Sequence, residues 1–335
     1  MERLTVAETR YRGTVNHLAF AALVFLVILS VRETVLEFLS AFLPFLTERA
    51  FNTVYELLGG LLYAAMFCVP VLFFYKLPKT FERAELKLEL RLPRDTMLYV
   101  FFGMSVVLAA AYANSMMLSV FQLFSVDPQT TQAETQLVME NYELVLMLFT
   151  TAIVPAFTEE LFFRGMVLEN LRPYGRTTAI FGSALMFGLM HQNIQQIFYT
   201  VVAGIVIGWV YIRTESIWTC VLLHFVNNFS SVLSTALQAR LPYETYMALT
   251  YMIDGLIFML GITCGVILLL REHDHRADIC RLGAFEQTLV PSEEYAAIEV
   301  APARRVKLFF SPAMIIYVVF CVLAMLGIML SGFLL

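Results

Sequence analysis

The stretch PAFTEELFFRG, residues 155–165, ends an apolar run with two adjacent carboxylates, Glu159 and Glu160, and a guanidinium, Arg164. The residues before it, YELVLMLFTTAIV (142–154), read as a helix that crosses lipid. Ionisable groups deep in a bilayer cost several kcal/mol, so their placement there needs a reason. Glu160 and Arg164 stand four residues apart with the acid first, the favourable order for a pair on one helix face. Held in that way, Glu160 serves as a support. Glu159 lies about 100° around the helix and need not share that partner. On this motif alone two readings stay open: a salt-bridged helix end at the membrane interface, and a reactive carboxylate.

Outward from this stretch the chain is a membrane protein by composition. Of its 335 residues 59% are hydrophobic and 15% charged, against roughly 25% charged in soluble domains. No basic tract interleaved with aromatics points to nucleic acid. The five cysteines, Cys68, Cys220, Cys264, Cys280 and Cys321, form no CxxC pair, which argues against a disulfide framework or structural zinc. The basic N-terminal lead runs into an apolar segment with no cleavage pattern, read as a first span rather than a removed leader. A spanning helix needs about 20 apolar residues. Candidate spans lie at 15–31, 53–75, 96–124, 143–163, 177–191, 194–212, 216–238, 246–270 and 309–334. The expected fold is an all-α polytopic membrane protein of about eight or nine transmembrane helices, N-terminus inside.

Lys and Arg placement carries the orientation. With the N-terminus inside and the spans alternating, three basic residues precede the first span. The 76–95 loop holds six, 164–176 three (Arg164, Arg172 and Arg176), Arg213 is one, and 271–307 holds six. That places 19 of the chain's 22 basic residues on one side, as the positive-inside rule requires. Residues 1–149 then form an N-terminal group of spans, 150–237 a central helical core, and 238–335 a C-terminal group with a cytoplasmic loop at 272–308. His273 and His275 in that loop read as solvated, with metal binding an open alternative. The spacings Gly204-x-x-x-Gly208 and Gly261-x-x-x-Gly265 predict close helix approach.

The spans also carry Glu56, Asp254, His191, His224, Asn227 and Asn228. His224 and Asn228 are i and i+4 and share one helix face. Glu159 lies fifteen residues before the turn at Tyr174 and His191 seventeen after it, about 22 Å and 25 Å along their helices, so the two can sit level. His224 reaches that level only if the 164–176 hairpin projects roughly 10 Å beyond the 213–215 turn. Converging, these groups make a hydrolytic constellation. A glutamate serves as general base on water, a histidine orients that water, and a second histidine and an amide stabilise an oxyanion. Glu159, His191 and His224 also match a two-His, one-Glu zinc set, although no HExxH spacing is present.

Glu159-Glu160-x-x-x-Arg164, Phe187-x-x-x-His191 and His224-x-x-x-Asn228, in that order on successive helices, resemble the CAAX protease and bacteriocin-processing family, which includes the type II CAAX prenyl endopeptidase. The resemblance covers residues 150–237. It implies an intramembrane endopeptidase with Glu159 as general base, assisted by His191. His224 and Asn228 would form the oxyanion hole, with Glu160 and Arg164 as supports. No cofactor is expected, with a divalent metal such as zinc still open. Asparagine, a poor zinc ligand and a good oxyanion donor, favours the metal-free form. The implied substrate is a peptide or a lipidated protein, met among membrane lipids. The implied roles are peptide maturation, bacteriocin processing or self-immunity, or CAAX-type C-terminal processing, and the implied location is the bacterial cytoplasmic membrane. A proton-coupled transporter resting on Asp254 and Glu56, and a non-catalytic regulatory or scaffold protein, are the competing expectations.

Overall fold

A computed structural model describes residues 4–43, 45–76, 83–123, 140–283 and 300–334, without the side chains of 42, 121–123, 273–283 and 329–334. Among the described residues there are helices and no strands. They are α1 (Val6–Phe42), α2 (Glu48–Lys76), α3 (Thr96–Leu123), α4 (Asn141–Tyr174), α5 (Arg176–Met190), α6 (Ile197–Thr214), α7 (Ile217–Gln238), α8 (Tyr243–Gly283), α9 (Pro302–Phe309) and α10 (Pro312–Leu334). Seven are long and apolar enough to span a membrane, and α9 with α10, bent by 62°, makes an eighth. The chain is a multi-pass, all-α membrane protein. Large apolar side chains such as Val27, Leu61, Met116, Leu260 and Leu323 stand exposed on the bundle surface, where lipid replaces water as their partner.

Local chemistry sets several helix starts. Thr5 and Glu8 form a reciprocal capping box that begins α1. Ser216 caps α7 by accepting from Thr219 N at 3.2 Å. Where the expected spans differ from the helices, the reasons are local too. The first span, read as 15–31, belongs to the 37-residue α1, because ETVLEFLSAF continues the helix. The fourth, read as 143–163, runs on to Tyr174. The fifth is the 15-residue α5, about 22 Å long and short of a 30 Å hydrocarbon core. The expected 272–308 loop is helical at both described ends, as the last turns of α8 and as α9. Its middle and the side chains of His273 and His275 lie outside the described residues.

Both glycine pairs do what their spacing predicts. A Cβ at Gly204 would stand 2.9 Å from Ala184 Cα, so α6 approaches α5 closely only because that atom is missing. Gly261 and Gly265 seat α8 on α3, against Ser105 and Phe102.

The alternation of spans is visible as contacts at two opposite ends. At one end Arg271 pairs with Asp95, Arg213 with Glu272 at 2.9 Å, and Arg304 with Glu8 at 2.7 Å. Ser216 Oγ there donates to Arg91 O, and Ala84 N to Asn170 Oδ1 at 3.1 Å. These join the segments expected on the basic side. At the other end Arg240 donates to Asn141 Oδ1 at 3.1 Å, and Arg49 lies over the Tyr142 ring at 4.7 Å.

Of the four charged residues that favour a projecting 164–176 hairpin, Arg164, Glu169 and Arg172 are buried and Arg176 is exposed. The buried ones are satisfied internally: Glu169 Oε1 accepts from Arg172 at 3.0 Å and from Tyr211 Oη at 2.8 Å, and Arg172 also bonds Glu215. Arg172 thereby ties the 213–216 turn to the end of α4. The Arg172 guanidinium also holds the Glu215 carboxyl below its ordinary range.

Candidate active site

α4 is not a uniform helix. Its winding loosens to π turns over Leu148–Ile153 and again over Leu161–Leu168, with an α-helical tract, Val154–Glu160, between them. π turns recur at functional sites because they rotate the following face out of register. Pro155 adds a second irregularity. A proline has no N–H for the carbonyl four residues back, and that carbonyl, Thr151 O, accepts from Asn228 Nδ2 at 3.1 Å. The helix defect and the asparagine on α7 thus satisfy each other.

The central group is a buried quartet of Glu159, Glu160, Arg164 and His224. Glu160 Oε1 accepts from Arg164 at 2.9 Å, as the i,i+4 spacing predicts, and contacts His224 Nδ1 at 2.7 Å. A carboxylate oxygen only accepts, so Nδ1 of His224 carries the hydrogen, and Nε2 faces the other glutamate, 4.0 Å from Glu159 Oε2. Glu160 is therefore the orienting group for His224 as well as the partner of Arg164. Arg164 also donates to Gly204 O at 3.1 Å and stacks over the Phe187 ring at 5.0 Å. Four helices are pinned at one guanidinium and one carboxylate.

Glu159 is held differently. Tyr63 of α2 donates to its Oε1, while its Oε2 is buried with no protein partner. Tyr63 was absent from the sequence reading. It sits in GGLLYAAM, and a hydroxyl just past a Gly-Gly pair in an apolar span was the available signal.

His191 ends α5, and its Nδ1 contacts Phe187 O at 2.9 Å. A carbonyl accepts, so that nitrogen is the donor and Nε2 is left as an acceptor in the neutral ring. Phe187 separates the two histidines, with its ring centroid 5.0 Å from His191 and 6.0 Å from His224. Asn228 belongs to a relay: Tyr199 Oη donates to Asn227 Oδ1 at 2.8 Å, and Asn227 Nδ2 to Asn228 Oδ1 at 3.1 Å. With one amide N–H on Thr151 O, Asn228 retains a second.

Glu159, His191, His224 and Asn228 all line one cavity of about 800 Å³. Glu56 and Asp254 line the same cavity, each with a hydroxyl donor: Thr150 at 3.1 Å and Tyr112 at 2.6 Å. All six sequence-derived site residues come together, four in the quartet and two on the wall beside it. A zinc ion would need Glu159, His191 and His224 as a set. Among the described residues no three His, Cys, Asp or Glu side chains group closely enough to hold an ion. No step below passes through a metal.

Residues 141–230 match the family model described as Type II CAAX prenyl endopeptidase Rce1-like. Over 129 residues the chain is 26% identical to a Bacillus subtilis (strain 168) protein named "Putative membrane peptidase YdiL", covering 37% of this chain and 52% of that one. The chain thus spans about half the length of this curated relative. No solved structure matches. The family match begins at the first residue of α4 and ends two residues past Asn228, so it frames the site. The resemblance to the CAAX protease and bacteriocin-processing family holds over the residues that carry the motifs.

Proposed function

We propose that the chain is an intramembrane endopeptidase in which Glu159 activates water without a metal. The observation that carries this reading is the asymmetric hold on Glu159. One oxygen is fixed by Tyr63, and the other is buried, unpartnered and on the cavity wall beside His224.

Glu159 Oε2 takes a proton from water, and His191 Nε2 accepts the second O–H and orients it. The hydroxide oxygen attacks the scissile carbonyl carbon, and the carbonyl π pair moves to oxygen. Carrying protons on both nitrogens, His224 completes a neutral quartet with Glu159, Glu160 and Arg164. Its Nε2–H and the remaining Asn228 N–H donate to the oxyanion. Glu159 then returns its proton to the leaving nitrogen as the C–N bond breaks. Glu160 and Arg164 act through His224 and the helix packing.

Comparative peptide profiling of cells carrying wild-type protein or Glu159→Gln tests the reading. A peptide set produced only by the wild type supports it, and identical profiles overturn it. Tyr63 supplies a finer check. A hydrogen bond to a charged group is worth about 1.5–3 kcal/mol, so Tyr63→Phe is expected to lower kcat about 10- to 100-fold. KM should hold, because the hydroxyl touches the base and not the substrate. An unchanged kcat would show that Tyr63 does not position Glu159.

A further inference from the structure

The lining of the cavity lies in one half of the bundle. Its lining on α2 runs from Tyr55 to Tyr63, in the half nearer Glu48, and on α8 from Thr250 to Ile257, in the half nearer Tyr243. On α7 it runs from Leu223 to Leu237, away from the Ser216 cap. Every one of these halves points to the end where Arg240 meets Asn141. Toward the opposite end α4 buries all residues from Leu161 to Leu171, and the Glu169–Arg172–Tyr211 network lies beyond them. That closed end is where the pairs of Arg213, Arg271 and Arg304 gather. Arg164, now placed inside the bundle, drops out of the charge count and leaves the asymmetry unchanged. The positive-inside rule sets such an end in the cytoplasm. The turn of the short α5–α6 hairpin places His191 and Gln196 on the lining of the same cavity as Glu159.

The wall suits a polypeptide main chain. Asn227, Asn228, Ser231, Ser234 and Thr235 of α7 line the cavity with Thr150 and Thr151 of α4. Asn228 bonds Thr151 O, Ser234 pairs with Tyr246 and Thr235 donates to Ser231 O, while Ser231 is exposed and Asn228 keeps a second N–H. From Leu223 to Leu237 the wall is about 21 Å long, room for about six residues of extended chain. A lipid tail gains nothing from a polar wall, whereas the peptide groups of an unfolded segment exchange hydrogen bonds with the capacity left there, such as the second N–H of Asn228.

We infer that the substrate is an extended polypeptide segment that reaches Glu159 from the extracytoplasmic face, along the polar wall of α7. The substrate class rests on the peptidase reading above, whereas the side of access does not. The full-length protein in intact cells tests it by thiol labelling. Ser231→Cys, on the exposed cavity wall, is compared with Thr177→Cys, exposed at the closed end. A membrane-impermeant maleimide is expected to label Ser231→Cys in intact cells and Thr177→Cys only after permeabilisation. The reverse pattern, or no labelling of Ser231→Cys from either side while Thr177→Cys reacts, overturns the inference. In Ser231→Cys protein that also carries Glu159→Gln, a mixed-sequence library of unstructured ten-residue peptides should abolish the labelling. Protection by lysophospholipid and not by the peptides would assign the cavity to lipid and overturn the substrate class. Outside labelling with no peptide cleavage by wild-type protein would sink the peptidase reading and leave the side of access standing.

Discussion

Glu159→Gln is expected to lower the rate of peptide cleavage about 10³-fold, the middle of the range for a positioned general base. The substitution is isosteric. Its amide oxygen still accepts from Tyr63, so helix α2 keeps its tie to α4. What disappears is a group that can take a proton from water beside His224. The protein should therefore extract, fold and bind as the wild type does while turnover is lost. Oε2 of Glu159 has no hydrogen-bond partner, and its one ion-pair neighbour, His224 Nε2 at 4.0 Å, keeps Glu160 as its bonded carboxylate in the variant. Retained activity in a folded Glu159→Gln protein would remove the base from the mechanism.

Arg164→Met is expected to act on the fold. The side chain is fully buried, bonds Glu160 and Gly204 O, and lies over Phe187. Removing it leaves Glu160 as a buried charge with His224 alone beside it. Breaking a buried pair by deleting one partner costs about 3–5 kcal/mol, a large share of a membrane domain's margin. Thermal unfolding of the detergent-extracted protein should show the loss, together with a fall in the monodisperse fraction. The double variant Glu160→Gln/Arg164→Met should recover much of that stability, since two matched neutral side chains replace the pair. It should not recover activity, because His224 has then lost the carboxylate that orients its ring. An Arg164→Met protein as stable as the wild type would contradict the buried quartet.

How much of this was legible in the sequence follows the range of each interaction. Glu160 with Arg164 could be read because both partners lie on one helix turn. The contact between Glu160 and His224 spans 64 positions and two helices, so only the shared polarity of the motifs pointed to it. Tyr63 lies 96 positions from Glu159 in a span whose one carboxylate, Glu56, drew the reading elsewhere. Phe187 was part of a motif, yet its position between two histidines and under Arg164 is a property of packing. The π turns of α4 were invisible, because apolar residues on every face leave no periodicity to betray a change of winding. The burial of Arg164, Glu169 and Arg172 in the 164–176 hairpin was not legible, for a physical reason. Sequence shows charge, whereas burial depends on partners that sequence does not show. The long-range pattern of Lys and Arg is unaffected by that burial, since it rests on loops that meet at one end of the bundle.

The most direct test of the central claim is turnover of a peptide substrate by the purified, lipid-reconstituted protein in H₂¹⁸O, with a strong chelator present. Direct attack by water activated at Glu159 predicts one ¹⁸O atom in the newly formed carboxylate in a single turnover, no covalent adduct of the protein, and a rate unchanged by the chelator. A trapped acyl-enzyme, or activity that vanishes with the chelator and returns with a divalent metal, would contradict it.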